Sequence, residues 1–118
     1  MSITISAKVY AADLYKENLI GYKGPSSTVT VKDDLRLSRV QPKPTANFSG
    51  VGRSNVKLTR TLTLTNANTP SGDMIGEVNV ALPVGAAGGD ADTFCTDLGA
   101  YISSAGFKTL VKNLLITY

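Results

Sequence analysis

Val56-Lys57-Leu58-Thr59-Arg60-Thr61-Leu62-Thr63-Leu64-Thr65 alternates apolar and polar residues almost without a break. Successive side chains of an extended chain point to opposite faces. Val56, Leu58, Leu62 and Leu64 therefore share one oily face, interrupted only by Arg60, while Lys57, Thr59, Thr61, Thr63 and Thr65 share a polar one. A period of two in β-branched residues and leucines marks a half-buried strand, and a two-faced strand belongs to an antiparallel sheet covered on one side.

Working outward, Asn66 to Asp73 holds Asn, Pro and Gly and reads as a turn too long for a tight hairpin. Met74 to Val84 returns as a second strand, with Val78, Val80 and Leu82 opposite Glu77, Asn79 and Ala81. On the other side, Thr45 to Asn55 contains Gly50, Gly52 and Ser54 and reads as an extended connection. Before it, Leu35 and Leu37 oppose Arg36 and Ser38 in a strand that ends at Pro42-Lys43-Pro44, where two prolines remove ladder donors. Asp33-Asp34 reads as a turn, Thr28 to Lys32 as a strand with Val29 and Val31 on one side, and Gly24 to Ser27 as a loop. Ile3 to Tyr22 predicts an N-terminal hairpin whose turn is not marked by sequence.

Past the flexible Gly85 to Gly89 the period lengthens to about 3.6, the signature of helix. Ala91, Phe94, Cys95, Leu98, Tyr101, Ile102 and Ala105 fall on one stripe, with Asp90 or Asp92 as the expected cap and Gly106 as the expected stop. Phe107, Leu110, Val111, Leu114 and Leu115 predict a second, shorter helix. The fold class expected is α+β: an N-terminal β-hairpin and an antiparallel sheet of five to six strands, followed by two C-terminal α-helices. The 118 residues suit one domain, with 1–84 as hairpin and sheet and 90–115 as the helical segment.

Such a sheet, at about 4.8 Å per strand, is roughly 25 Å across, whereas one helix covers about 10–12 Å. One chain's main helix cannot cover it. A second copy is therefore expected to lend its helices to the oily face, giving an intertwined homodimer with Phe94, Leu98, Ile102, Phe107 and Leu110 at its interface.

The chain has no histidine, which removes His-based triads and imidazole metal ligands. Cys95 stands alone on an apolar stripe and is expected in the core rather than as a nucleophile. Asp33-Asp34 and Asp90, Asp92 and Asp97 have plain readings in turns and at a helix start. Gly85 to Gly89 lacks the Gly-Lys-Ser/Thr ending of a phosphate loop, and Asn47-Phe48-Ser49 is a chance glycosylation match. The reading is non-enzymatic, with no cofactor and no metal. No apolar run approaches membrane-spanning length, and without a secretory leader the chain is expected to fold in the cytoplasm. Residues 1–60 carry ten Lys/Arg against four Asp/Glu, and residues 61–118 two against five. That basic half can attract nucleic acid, or be an ordinary solvated surface.

The order of Leu35-Arg-Leu-Ser-Arg-Val-Gln-Pro-Lys-Pro-Thr, Phe48-Ser-Gly-Val-Gly-Arg53, the Lys57 to Thr65 strand, the Leu-Pro-Val-Gly end of the next strand and an Asp-rich helix resembles the coat (capsid) protein of single-stranded RNA bacteriophages of the levivirus-like group. The resemblance implies helices that clasp the neighbouring subunit and homodimers that tile an icosahedral shell. It also implies a sheet face turned to the single-stranded genomic RNA, where an RNA hairpin serves as packaging signal and translational repressor. The protein would then be a virion component assembled in the host cytoplasm.

The RNA-facing residues would be Lys57, Thr59, Thr61 and Thr63 with Glu77 and Asn79, joined by Arg36, Ser38, Thr30 and Lys32. Threonines on a wet face also simply favour β-structure. Where the family has a stacking tyrosine on the strand carrying Asn79, this chain has Ile75. Asn66, Asn68, Pro70 and Gly72 would form the loop between dimers. A small non-viral RNA-binding β-domain and an adhesin-like β-domain are the alternatives.

Overall fold

The computed structural model describes residues 2–47, 49–65 and 67–116, in two compact units, 1–84 and 85–118. The first unit is a six-stranded sheet: β1 (Ser2–Ile5), β2 (Lys8–Lys16), β3 (Leu19–Lys23), β4 (Asp33–Val40), β5 (Val51–Thr63) and β6 (Ser71–Pro83). The strands pair antiparallel in chain order from β1 to β6. The second unit holds α1 (Gly88–Ile102) and α2 (Ala105–Asn113). The α+β class, with an antiparallel sheet of five to six strands followed by two helices, is as expected, although the strands that make up the six are not all the expected ones.

The N-terminal hairpin turns through Ser6 and Ala7, both in the left-handed region at φ 49° and 65°. Two consecutive left-handed residues match the twist of a two-residue hairpin, a geometry usually signalled by Asn-Gly. Their absence hides the turn from sequence. The stretch expected as a hairpin also includes β3, which returns against β2 across a register shift between Ala12 and Leu14.

Thr28 to Lys32 is not a strand. The Thr28 amide donates to the Val31 carbonyl (2.8 Å) and the Val31 amide donates back to Thr28 Oγ1 (3.0 Å), closing a local turn. Threonine side chains offer the backbone this competing geometry, and Val29 is left fully exposed. Asp33-Asp34 is not a turn but the start of β4. Thr45 to Asn55 is not all connection: β5 begins at Val51, pairs with β4 from Val40↔Arg53 onward, and ends at Thr63.

The oily face gathers its core on the β1–β4 side. Tyr10, Tyr22 and Leu35 are buried, with Ile3, Ile5, Ala12, Ile20, Leu37 and Leu58 packed against them. Arg60, the one charged residue on this face of β5, completes the core. Its Nη2 donates to Tyr10 Oη (2.6 Å) and its Nε to Asp33 Oδ1 (3.1 Å), while the Tyr10 hydroxyl donates to the same carboxylate oxygen (2.9 Å). Arg60 and Asp33 sit opposite each other in the β4–β5 register. The Tyr10 hydrogen bond, more than Asp33, holds the Arg60 guanidinium above its ordinary pKa against the opposing effect of desolvation. Gly24 backs this node: a Cβ there would stand 2.8 Å from the Tyr10 ring and collide with Asp33.

Toward β6 the same face is bare. Val56 and Leu62 are each 41% exposed and Met74 51%. In the second unit no residue of α1 or α2 is buried. Cys95, expected in the core, is exposed. The cap of α1 is Ala87 without a side-chain bond, not Asp90 or Asp92; Asp90 sits in the first turn. Gly106 lies inside α2 rather than ending α1. The break falls one turn earlier at Ser103 and Ser104, and Ser104 Oγ accepts from the Phe107 amide (3.3 Å) to start α2. Tyr101 and Phe107 meet edge to face at 5.8 Å across the corner. Leu114, in the left-handed region at φ 54°, ends α2.

Removing one partner of a buried ion pair strands the other's charge, at about 3–5 kcal/mol when fully buried. Because Arg60 is partly exposed, Arg60→Met is expected to lower unfolding stability by about 2–3 kcal/mol, read from denaturant midpoints. A change within about 0.5 kcal/mol would show that the node is not structural.

Candidate nucleic-acid interface

The face of the sheet opposite the tyrosine core is built from β4, β5 and β6 in aligned rows. Ser38 stands opposite Asn55 and Asn55 opposite Asn79; Arg36 opposite Lys57 and Lys57 opposite Glu77; Asp34 opposite Thr59 and Thr59 opposite Ile75. Thr61 faces Asp73 and Thr63 faces Ser71 in the next two steps. Strand alternation thus brings Arg36, Ser38, Lys57, Thr59, Thr61, Thr63, Glu77 and Asn79 to one face, as their parity in the sequence predicts.

Lys32 reaches this face without belonging to a strand. Its amide donates to Thr61 Oγ1 (3.0 Å), its carbonyl accepts from the Thr61 amide (2.9 Å), and its Nζ lies 3.4 Å from Asp73 Oδ2. Thr61 Oγ1 donates to Asp73 Oδ1 (2.8 Å). That hydrogen bond chiefly, with Lys32 in support, holds the Asp73 carboxyl below its usual pKa. Thr30 has no place in the strand register: it is exposed in the loop between β3 and β4.

The sequence reading missed Asn55, Asp34 and Asp73. Asn55 Nδ2 donates to Glu77 Oε1 (2.7 Å) and also to Asn79 Oδ1, so one amide orients two neighbours. Its signal was the continued alternation of Arg53 and Asn55 against Gly52 and Ser54, masked because the alternate positions carry no apolar residue. Lys32, Asp34, Arg36, Lys57, Thr59, Asp73 and Ile75 line a cavity of about 280 Å³. Lysine and arginine there can neutralise phosphate, and hydroxyl and amide groups can bond to bases or ribose.

The helical residues expected at an interface divide by exposure: Phe94 (56%) and Ile102 (36%) are exposed, and Leu98, Phe107 and Leu110 are half-buried. In the β5–β6 connection, Asn68 and Pro70 are exposed, and the Leu64 amide donates to the Pro70 carbonyl (2.9 Å). Gly72 is not in that loop; it is in β6, opposite Leu62. Asn66, like Phe48 of the sequence resemblance, lies outside the described residues.

A six-stranded antiparallel sheet followed by two helices is the fold of levi-like virus coat proteins. The chain is similar to the protein of the virus-like particle of Beihai levi-like virus 32, with a TM-score of 0.81 at 14% identity over 96% of this chain and 91% of that one. It is similar to that of the virus-like particle of bacteriophage AVE019, at a TM-score of 0.72 and 17% identity over 100% and 96%. The bacteriophage EMS014 coat protein gives a TM-score of 0.59 at 15% identity over 84% and 68%. No protein-family profile and no curated protein sequence matches the chain.

Lys57 is the central cation of the polar face, flanked by Arg36 and Glu77. Lys57→Ala is expected to reduce the salt dependence of RNA binding by about 0.7 in the log–log slope, one phosphate contact on a single strand. Lys57→Ala combined with Thr59→Ala should lower RNA uptake while leaving the oligomeric state unchanged. An unaltered slope and RNA content would remove this face from the interface.

Proposed function

We propose that the chain is a non-enzymatic capsid subunit, forming homodimers that assemble into an icosahedral shell around single-stranded RNA. The observation that carries this is near-full-length likeness of fold to the protein of a levi-like virus-like particle, at a TM-score of 0.81 over 96% of the chain. The bare surfaces support the dimer. Exposed Met74, Val56 and Leu62 on the oily sheet face and exposed Phe94, Tyr101 and Val111 on the helices leave apolar area uncovered in a single chain. A second copy laying its helices over the β5–β6 side would bury both sets at once.

β6 adds a second contact. It is the last strand of the sheet order and runs for 13 residues. A long edge with unpaired amides and carbonyls is a template for another strand. Pairing β6 with its copy joins two sheets and doubles the polar face, on which the Arg36, Lys57 and Asn55 rows would meet RNA. Binding of a hairpin as packaging signal and translational repressor fits that face.

Electron microscopy of the purified protein is expected to show uniform closed shells. With no tryptophan and five tyrosines in the chain, co-purified RNA should dominate the ultraviolet absorbance. A monomer by light scattering at micromolar concentration, with no shells, would overturn the proposal; a soluble RNA-bound dimer that never closes would favour a small RNA-binding domain. Deleting residues 65–70, the tip of the β5–β6 hairpin, should leave dimers that fail to form closed shells.

A further inference from the structure

Asp34 Oδ1 is buried and, among the described residues, is the side-chain atom of its kind left without a hydrogen-bond partner. A buried carboxylate oxygen with no donor is costly, so an unpaired one calls for an explanation. Asp73, the other acid of the same cavity, is already engaged by Thr61 and Lys32. The carboxylate of Asp34 therefore has acceptor capacity to spare.

Its surroundings indicate what could fill that capacity. Asp34, Thr59 and Ile75 form one cross-strand row, spanning two strand spacings, or roughly 10 Å. Ile75 is 58% exposed and offers an apolar surface at the far end; Thr59 offers a hydroxyl in the middle. Arg36 and Lys57 flank the row on one side, and Lys32 joins them around the cavity. A ligand suited to this arrangement has an anionic part for the cations, a flat part for Ile75 and paired N–H donors for the carboxylate. An ionised carboxylate accepts only. Among the four RNA bases, guanine alone presents two adjacent donors, N1–H and the 2-amino group, on its Watson–Crick edge. Adenine would set its N1 lone pair against the carboxylate, and cytosine and uracil offer a single donor beside an acceptor.

We propose that the Asp34–Thr59–Ile75 row is a base-recognition site selective for an unpaired guanine, with Asp34 accepting from N1–H and the 2-amino group. This rests on the RNA-binding reading of the face and adds a base preference to it. The long side chains of Lys32, Arg36 and Lys57 would move aside to admit the base and take the adjoining phosphates.

The test uses the unassembled full-length chain and fluorescent hexanucleotides of uridine carrying one central guanosine, inosine or adenosine, compared by anisotropy at fixed salt. A bidentate contact predicts guanosine over adenosine by about tenfold or more, with inosine, which lacks the 2-amino group, in between. Asp34→Asn should bring the three within about twofold of one another, while leaving adenosine binding unchanged or tighter because a negative charge has been removed. The inosine comparison needs no mutation, so a variant that misfolds does not void it. Equal affinities for the three on the unaltered protein, or a guanosine preference that survives Asp34→Asn, would overturn the site. RNA-filled shells without base preference would sink this proposal and leave the capsid reading standing; a base preference without shells would do the reverse.

Discussion

The hydrogen-bonded node of Tyr10, Asp33 and Arg60 determines how the sheet is held together. The three residues come from β2, β4 and β5, and their bonds cross the face that carries the buried cluster of Tyr10, Tyr22 and Leu35. A strand that slipped by one residue would turn its side chains to the other face. Here a one-residue slip of β5 would also turn Arg60 to the other face and leave Asp33 in the core without it, a cost beyond that of exposing leucines. Gly24 belongs to the same device, because the carboxylate and the tyrosine ring occupy the space a side chain would need.

With the register held, the two faces divide their roles. One face closes around tyrosines near β1–β4 and stays open toward β6, and the other displays aligned polar rows. Asp33 and Asp34 show the division at its sharpest. Adjacent in sequence, they project to opposite faces of β4, one into the core node and one into the cavity lined by lysines and arginine. Two carboxylates that look interchangeable in the sequence thus have separate environments, created by nothing more than strand parity.

That parity was legible from the start, and the failures follow a pattern. The Val56 to Thr65 alternation located β5 and its two faces because leucine and threonine are opposite in polarity and both fit a strand. β5 was read five residues short because Gly52 and Ser54 stand where apolar residues would have continued the signal. Thr28 to Lys32 alternated correctly yet closed into a turn, since hydrogen bonds between Thr28 and Val31 compete with a ladder and periodicity cannot register them. Arg60 could not be understood in one dimension: both its partners are distant in sequence. Cys95 and the helical stripe were read correctly as apolar, but whether a stripe is buried depends on what covers it, and no pattern within one chain specifies that.

The meander order of the sheet has a consequence for how the chain comes into being. Every strand pairs with its immediate successor, so each new hairpin can close as soon as its second strand leaves the ribosome. Short sequence separation between contacting strands lowers the loop-closure cost and favours rapid folding. The helices follow the strands in the chain and are synthesised after all six strands and the Tyr10–Asp33–Arg60 node are available. A nascent chain could therefore carry a finished sheet, its β6 edge open, while its own helices are still being made, so that the first helices to reach that surface could come from a neighbour on the same message.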